Sequence, residues 1–168
     1  MAQVILTRRL AARGVGMEVG SAGLLPGGAP LPVETEDALA ALGFTPPVLP
    51  AFVSAQVSPE ALAVAELVLG MTREHVREVA VAVPQVWDRS FTLKELVRRG
   101  TEAGGRTDGE ALAAWLARVG VERTRTELLG SSPDDDVVDP IGGRPADFVR
   151  TAKEIDELCG ELVALAWP

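Results

Sequence analysis

The segment Leu67-Val68-Leu69-Gly70-Met71 is continuously apolar and stops against Thr72, a residue that caps helices. A strand of this kind is buried on both faces. Helices packed above and below a mostly parallel sheet are the layer arrangement that covers it. The flanking sequence supplies such helices. Ser58-Pro59-Glu60 is a helix start, with a capping hydroxyl, a proline at the first helical position and an acid near the positive end of the dipole. Thr72 opens a helix through about Val79, and Thr92-Leu93-Lys94-Glu95 is a capping box that starts another running to about Arg99.

The rest of the chain alternates in the same way. Ala2 to Arg13 reads as a helix with Val4, Ile5 and Leu10 on one face and Gly14 as its stop. Val15, Met17 and Val19 alternate with small or charged residues, the period of a half-buried strand, which Ser21-Ala22-Gly23 ends. A Pro/Gly-rich loop spans Leu24 to Pro32, and a helix runs from about Glu34 to Leu42 before Gly43. Pro46, Pro47 and Pro50 dictate an extended connection. Val81 to Val86 has strand character broken by Pro84; Asp108 caps a helix to Val119, which Gly120 closes. Ser131 to Pro145 is a loop, and the last helix, Pro145 to Ala166, carries Phe148, Ile155, Cys159, Leu162 and Ala166 as one stripe. Three strands among these helices make an α/β fold with a small, mostly parallel sheet.

A chain of 168 residues and 17.7 kDa is expected to form a single domain over residues 1–168. Hydrophobic residues at 47% and charged residues at 24% are the proportions of a globular domain. A net charge of −8 argues against nucleic acid as a partner, because phosphate neutralisation needs an excess of Lys and Arg. With no apolar run of about 18 residues and no signal-peptide pattern at Met1, the expectation is a soluble cytoplasmic protein with no membrane contact. One cysteine excludes a disulfide framework and a multi-thiolate metal site, and one histidine excludes paired-histidine zinc motifs. No cofactor or metal is implied.

Few residues carry chemistry. Cys159 belongs to the apolar stripe and late in its helix, so it reads as a core residue rather than an activated thiolate. His75, among Arg73, Glu74 and Arg77, reads as a solvated surface residue. Gly20-Ser21-Ala22-Gly23 lacks the glycine a nucleophile elbow requires, and neither Gly27-Gly28 nor Gly142-Gly143 precedes Lys-Ser or Lys-Thr as a phosphate-binding P-loop would. Asp134-Asp135-Asp136 reads as a solvated acidic loop rather than a cation site. Asp139 differs from these, because two valines precede it and Pro140 follows. An apolar surround would raise its carboxyl toward the range of a general acid, although Asp-Pro alone is a turn signal. Trp87, Trp115 and Trp167 are scattered and form no stacking platform.

The order of these segments resembles the low molecular weight protein tyrosine phosphatase family, in its actinobacterial form. The resemblance is carried by Ser21-Ala22-Gly23, then Ala65-Glu66-Leu67-Val68-Leu69-Gly70-Met71-Thr72-Arg73-Glu74, then Ser90-Phe91-Thr92-Leu93-Lys94-Glu95-Leu96 and Asp139-Pro140-Ile141-Gly142-Gly143. It implies a small doubly wound parallel sheet flanked by helices. It also implies phosphomonoester hydrolysis: a cysteine thiolate in a C-x5-R loop attacks phosphorus, and the aspartate of Asp-Pro protonates the leaving group. On that pattern the first strand and the phosphate loop would precede Met1, so the chain is expected to be truncated at its N-terminus relative to the family and inactive as numbered. Asp139 is then its one catalytic residue. Expected partners are a phosphorylated protein or a small phosphomonoester, if a full-length form exists. A non-catalytic, phosphatase-like module that binds a partner is the alternative. An arsenate reductase would need redox cysteines that are absent here. Ile141-Gly142 stands where the family often places an aromatic pair beside the phosphotyrosine ring.

Overall fold

The computed structural model describes residues 1–44 and 52–168. The prolines at 46, 47 and 50 lie outside the described residues. The described chain forms two compact units: Met1–Gln56 with Val138–Gly160, and Val57–Val137 with Glu161–Pro168.

In the first unit, helix α1 (Ala2–Ala12) buries Ile5, Leu6 and Leu10. It ends where Gly14 takes φ +72°, a conformation that glycine reaches without a Cβ clash. The following stretch alternates as its sequence predicts: Val15, Met17 and Val19 are half-buried and their neighbours exposed. It forms no strand, however; the alternation of burial is present without a ladder. The parallel bridge comes only at Gly23, opposite Gln56, and a second, antiparallel bridge joins Pro30 to Val53. The loop between them is drawn tight against residues 54–55: Gly28 N–H donates to the Ser54 carbonyl at 2.8 Å, and Ser54 N–H donates to the Ala29 carbonyl at 2.9 Å. A Cβ on Gly27 would stand 2.5 Å from the Ser54 carbonyl oxygen, so this approach requires glycine. Helix α2 (Val33–Ala41) buries Thr35, Ala38 and Leu39. Ala38 packs with Phe148 and Ala152, and Met1, Leu42 and Val149 complete that cluster.

In the second unit, strands β1 (Val68–Gly70) and β2 (Ser90–Thr92) pair in parallel, with Leu69 opposite Phe91. Helix α3 (Pro59–Val64) precedes β1, and the Ser58 hydroxyl accepts from Ala61 N–H at 3.2 Å, the cap its sequence announces. Helix α4 (Arg73–Ala82) connects the strands, capped by the Thr72 hydroxyl at 3.3 Å from His75 N–H. The valines at 81–86 do not make a strand: α4 continues to Ala82, and a 3₁₀ turn occupies Pro84–Arg89. Pro84 opens that turn because its missing N–H is not needed there. β1 is half-buried at Val68 and Leu69 rather than buried on both faces.

Helix α5 (Leu93–Ala103) has the full capping box: Thr92 Oγ1 accepts from Glu95 N–H at 3.1 Å, and Glu95 Oε2 accepts from Thr92 N–H at 3.4 Å. Helix α6 (Leu112–Val119) starts later than Asp108 predicts, with Ala111 at its cap. Leu62, Val79 and Val86 make one core cluster. Trp115 is fully buried and donates its indole N–H to the Gly104 carbonyl at 3.0 Å. Arg123 is almost wholly enclosed, its guanidinium 4.1 Å from the centre of the Trp87 ring and 3.9 Å from that of Phe91. It pairs with buried Glu95 at 2.7 Å, so the charge is both matched and hydrogen-bonded, the condition for burying one. Helix α7 (Pro145–Ala166) runs in the first unit through Gly160 and in the second to its end. Phe148, Ile155, Cys159, Leu162 and Ala166 are all buried, as the stripe predicts.

Candidate active site

Asp139 sits at the head of a turn that leads into α7. Its Oδ1 accepts from Ile141 N–H at 2.9 Å, and the Pro140 carbonyl accepts from Gly143 N–H at 2.8 Å. Gly142 has φ +81°, which closes the turn. A Cβ on Gly143 would lie 2.9 Å from the Pro140 carbonyl oxygen and 3.0 Å from Asp147 Oδ2, so both glycines are fixed by geometry. Beyond the turn, Asp147 accepts from Arg144 N–H at 2.8 Å. That amide, with Arg150 beside it, holds the Asp147 carboxyl below the usual range. The expected apolar surround of Asp139 is not there: the residue is exposed, as are Val138 and Ile141 beside it. Its valine neighbours divide, with Val137 buried and Val138 outside. The carboxyl is thus presented to solvent on a rigid turn.

The acidic run just before it is not a solvated loop. Asp135 is buried, and its Oδ2 accepts from Arg73 Nε at 2.9 Å and Nη2 at 2.7 Å, while Oδ1 accepts from Arg98 at 3.0 Å. Burial pushes this carboxyl up, but Arg98 and Arg73 outweigh burial and hold it below the usual range. Asp136 accepts from Arg73 N–H at 2.7 Å, at the start of α4, and from Ser132 N–H at 2.8 Å. Val137 N–H donates to the Met71 carbonyl at 2.8 Å, and Lys94 reaches the Pro133 carbonyl at 3.1 Å. Residues 132–137 are therefore strapped across the C-terminal end of β1 and the start of α5. Open α/β sheets place their ligand crevices at the C-terminal ends of strands. Of the three aspartates only Asp134 is exposed.

Cys159 is buried, and burial pushes its thiol up to about 12, with the nearby Asp156 carboxylate adding to the effect. It is a core thiol, as its place in the stripe predicts. His75 is half-buried in the first turn of α4, not fully solvated. Ser21 donates its hydroxyl to Gln3 at 2.6 Å, and Gln3 in turn donates to the Val19 carbonyl at 2.9 Å; no histidine enters this network. Beside it, Ser21, Ala22, Gly23, Phe52, Ser54 and Ala55 line an open hollow of about 220 Å³. Among the described residues, no group of three or more His, Cys, Asp or Glu is arranged to hold a metal ion. Within the same residues, no helix is long and apolar enough to cross a membrane.

No protein-family model and no curated protein matches the chain. Solved structures do. The low molecular weight protein tyrosine phosphatase of T. tengcongensis is 25% identical, with a TM-score of 0.70 over 97% of this chain and 87% of that one. A low molecular weight protein tyrosine phosphatase from Bacillus subtilis is 25% identical, with a TM-score of 0.66 over 98% and 85%. An arginine phosphatase from Geobacillus stearothermophilus is 24% identical, with a TM-score of 0.66 over 97% and 83%. The chain shares the fold of these low molecular weight protein tyrosine phosphatases. Its architecture is the mixed α/β one, with a small parallel sheet and flanking helices, that the sequence predicts.

Proposed function

We propose that the protein is a phosphatase-like protein directed at phosphorylated proteins, working in the cytoplasm as one domain over residues 1–168, with Asp139 as its general acid. The observation that carries this reading is a phosphatase fold shared over nearly the whole chain, with an exposed Asp-Pro carboxyl on a rigid turn before the last helix. In the chemistry of this family a thiolate attacks phosphorus and the phosphorus–oxygen bond breaks. The leaving oxygen takes its proton from the aspartic acid, and water then releases phosphate from sulfur. Asp139 serves the proton step alone.

The 168-residue chain by itself does not turn over. Its single thiol, Cys159, is held protonated far above neutral pH inside the apolar stripe, so it supplies no nucleophile. Protonating a leaving group contributes only about 10²–10⁴-fold and leaves phosphorus unattacked. The test is hydrolysis of a generic aryl phosphate at mildly acidic pH. No release above buffer is expected; release that vanishes in Cys159→Ser overturns this account. The same observation favours a second reading, a non-catalytic module that binds a phosphorylated partner. Titration with a phosphopeptide and its unphosphorylated twin tests the second. Binding without turnover that prefers the phosphopeptide supports the second reading, and equal or absent binding of both peptides counts against it.

A further inference from the structure

The chain contains no asparagine, and of its nine aspartates only Asp108 is followed by glycine. Asp108 does not cap α6, where Ala111 takes that place; it stands in a turn from Thr107 to Glu110. Glu110 N–H donates to the Thr107 carbonyl at 3.0 Å, and Gly109 takes φ +79° at the third position, which glycine reaches without strain. Thr107, Asp108 and Gly109 are all exposed. A Cβ on Gly109 would meet nothing within 4 Å, so the space around this residue is open. Among the described residues, no hydrogen bond or ion pair engages the Asp108 carboxyl or the Gly109 N–H.

A side-chain carboxyl followed by an uncrowded amide nitrogen is one bond short of a five-membered ring. We propose that Asp108–Gly109 is a site of spontaneous isoaspartate formation in the folded protein. The Gly109 nitrogen attacks Asp108 Cγ and forms an N–Cγ bond. One Cγ–O bond breaks, and that oxygen leaves as water, carrying the carboxyl proton and the amide proton. Water then opens the resulting succinimide. Cleavage at Cγ restores aspartate, and cleavage at the backbone carbonyl carbon of Asp108 leaves the main chain running through Cγ beside a free α-carboxylate. One water leaves and one returns, so the mass is unchanged. Asp134 and Asp139 are exposed too, but the next nitrogen is not available in either case. Asp135 N–H is given to the Ser132 carbonyl at 3.1 Å, and Pro140 has no N–H to lose.

The turn matters because Glu110 ties a clamp. Its carboxylate accepts from Thr107 N–H at 2.9 Å and from Arg118 Nη2 at 3.1 Å, and its carbonyl accepts from Arg106 Nη1 at 2.7 Å. Arg118 also donates to the Gly104 and Gly105 carbonyls just past α5, and Arg106 N–H donates to the Leu165 carbonyl at 2.7 Å, near the end of α7. An added backbone atom between residues 108 and 109 moves Glu110 out of register with both arginines. Isomerisation thus loosens the ends of α5 and α7.

Ageing the folded full chain at physiological temperature and pH tests this. The tryptic peptide 107–118, cut after Arg106 and Arg118, should split with time into two chromatographic peaks of equal mass, with a transient third lighter by one water. An isoaspartyl methyltransferase should transfer methyl groups to that peptide in proportion. Both signals should be lost in Asp108→Glu, whose longer side chain does not close the five-membered ring; circular dichroism checks that this variant keeps its helices. The isomerised fraction, separated by chromatography, should melt below the fresh protein. A peptide that stays single in the folded chain overturns the proposal, including when it splits only in urea. Methyl transfer that persists in Asp108→Glu, or that maps to another aspartate, overturns it as well. An unchanged melting temperature overturns the loosening of the helix ends.

Discussion

Cys159 shows how far burial alone can retune one side chain. Its thiol is pushed up to about 12 in the folded protein, while in the unfolded chain a cysteine titrates at about 8.5. Below the unfolded value both states hold the proton and nothing changes with pH. Between about 8.5 and about 12 the unfolded chain gives up a proton that the folded one keeps, so stability falls by about 1.4 kcal/mol per pH unit. Denaturant titrations between pH 8 and 10 should show this slope, and Cys159→Ala should remove it. A thiol reagent should accordingly label the protein no faster than the protein opens. Asp135 behaves in the opposite sense. Its carboxyl is held low by Arg98 and Arg73, so its contribution is present above about pH 3.9 and is lost as pH falls through its folded value. Asp135→Asn leaves two guanidiniums without their shared anion. The cost is expected to be about 2–4 kcal/mol, under that of a fully buried pair because Arg98 is 43% exposed. Thermal melts of both proteins from pH 7 downward check this: the two should differ at pH 7, and the difference should begin to shrink only as pH falls below about 3.9.

At the scale of elements, most helix starts were legible, and so was β1 within Leu67–Met71, but the strands expected at 15–19 and 81–86 were not formed. Ser58, Thr72 and Thr92 each cap where a Ser or Thr precedes a helical pattern, because a capping hydroxyl acts on a backbone N–H within its own turn. Thr92→Ala should therefore destabilise by about 1–2 kcal/mol in chemical denaturation, the upper end for a cap, since Thr92 is fully buried and Glu95 also braces Arg123. Strands depend on distant partners, and here the local signal misled. Val81 is β-branched yet sits exposed on α4, while β2 is built on Ser90, Phe91 and Thr92, a trio too short to show an alternating pattern. Ser90 is tolerated inside because its hydroxyl donates to the Val86 carbonyl at 2.7 Å. The strap over β1 was illegible for the same reason. Arg73 and Arg98 lie 62 and 37 residues from Asp135, and nothing in Asp-Asp-Asp announces them. Asp139 is singled out by the Asp-Pro of a family pattern, whereas its exposure contradicts the local valine argument. Gly70→Ala tests how tightly the β1–α4 corner is built. A Cβ there would fall 2.8 Å from Val76 Cγ2 and 3.1 Å from the Thr72 carbonyl oxygen, so a loss of about 1–3 kcal/mol is expected in the same measurement.

For the whole molecule, net charge sets behaviour that no single contact does. At −8 the protein should bind an anion exchanger at neutral pH and pass through a polyanion column, since it has no cation excess to trade for counterions. Retention on the polyanion at about 0.15 M salt would mean that its basic residues form a concentrated patch. Composition has a further, optical consequence. The chain contains no tyrosine, and Trp87, Trp115 and Trp167 all belong to the second of the two compact units. Intrinsic fluorescence is thus emitted from one unit only, by an indole sealed in the core at Trp115 and another stacked under a guanidinium at Trp87. Changes around α1, α2 or the Asp139 turn happen where the protein carries no indole. An emission spectrum that stays constant on adding a ligand is therefore silent about that region, and a tryptophan introduced at exposed Ile141 would give it a lamp of its own.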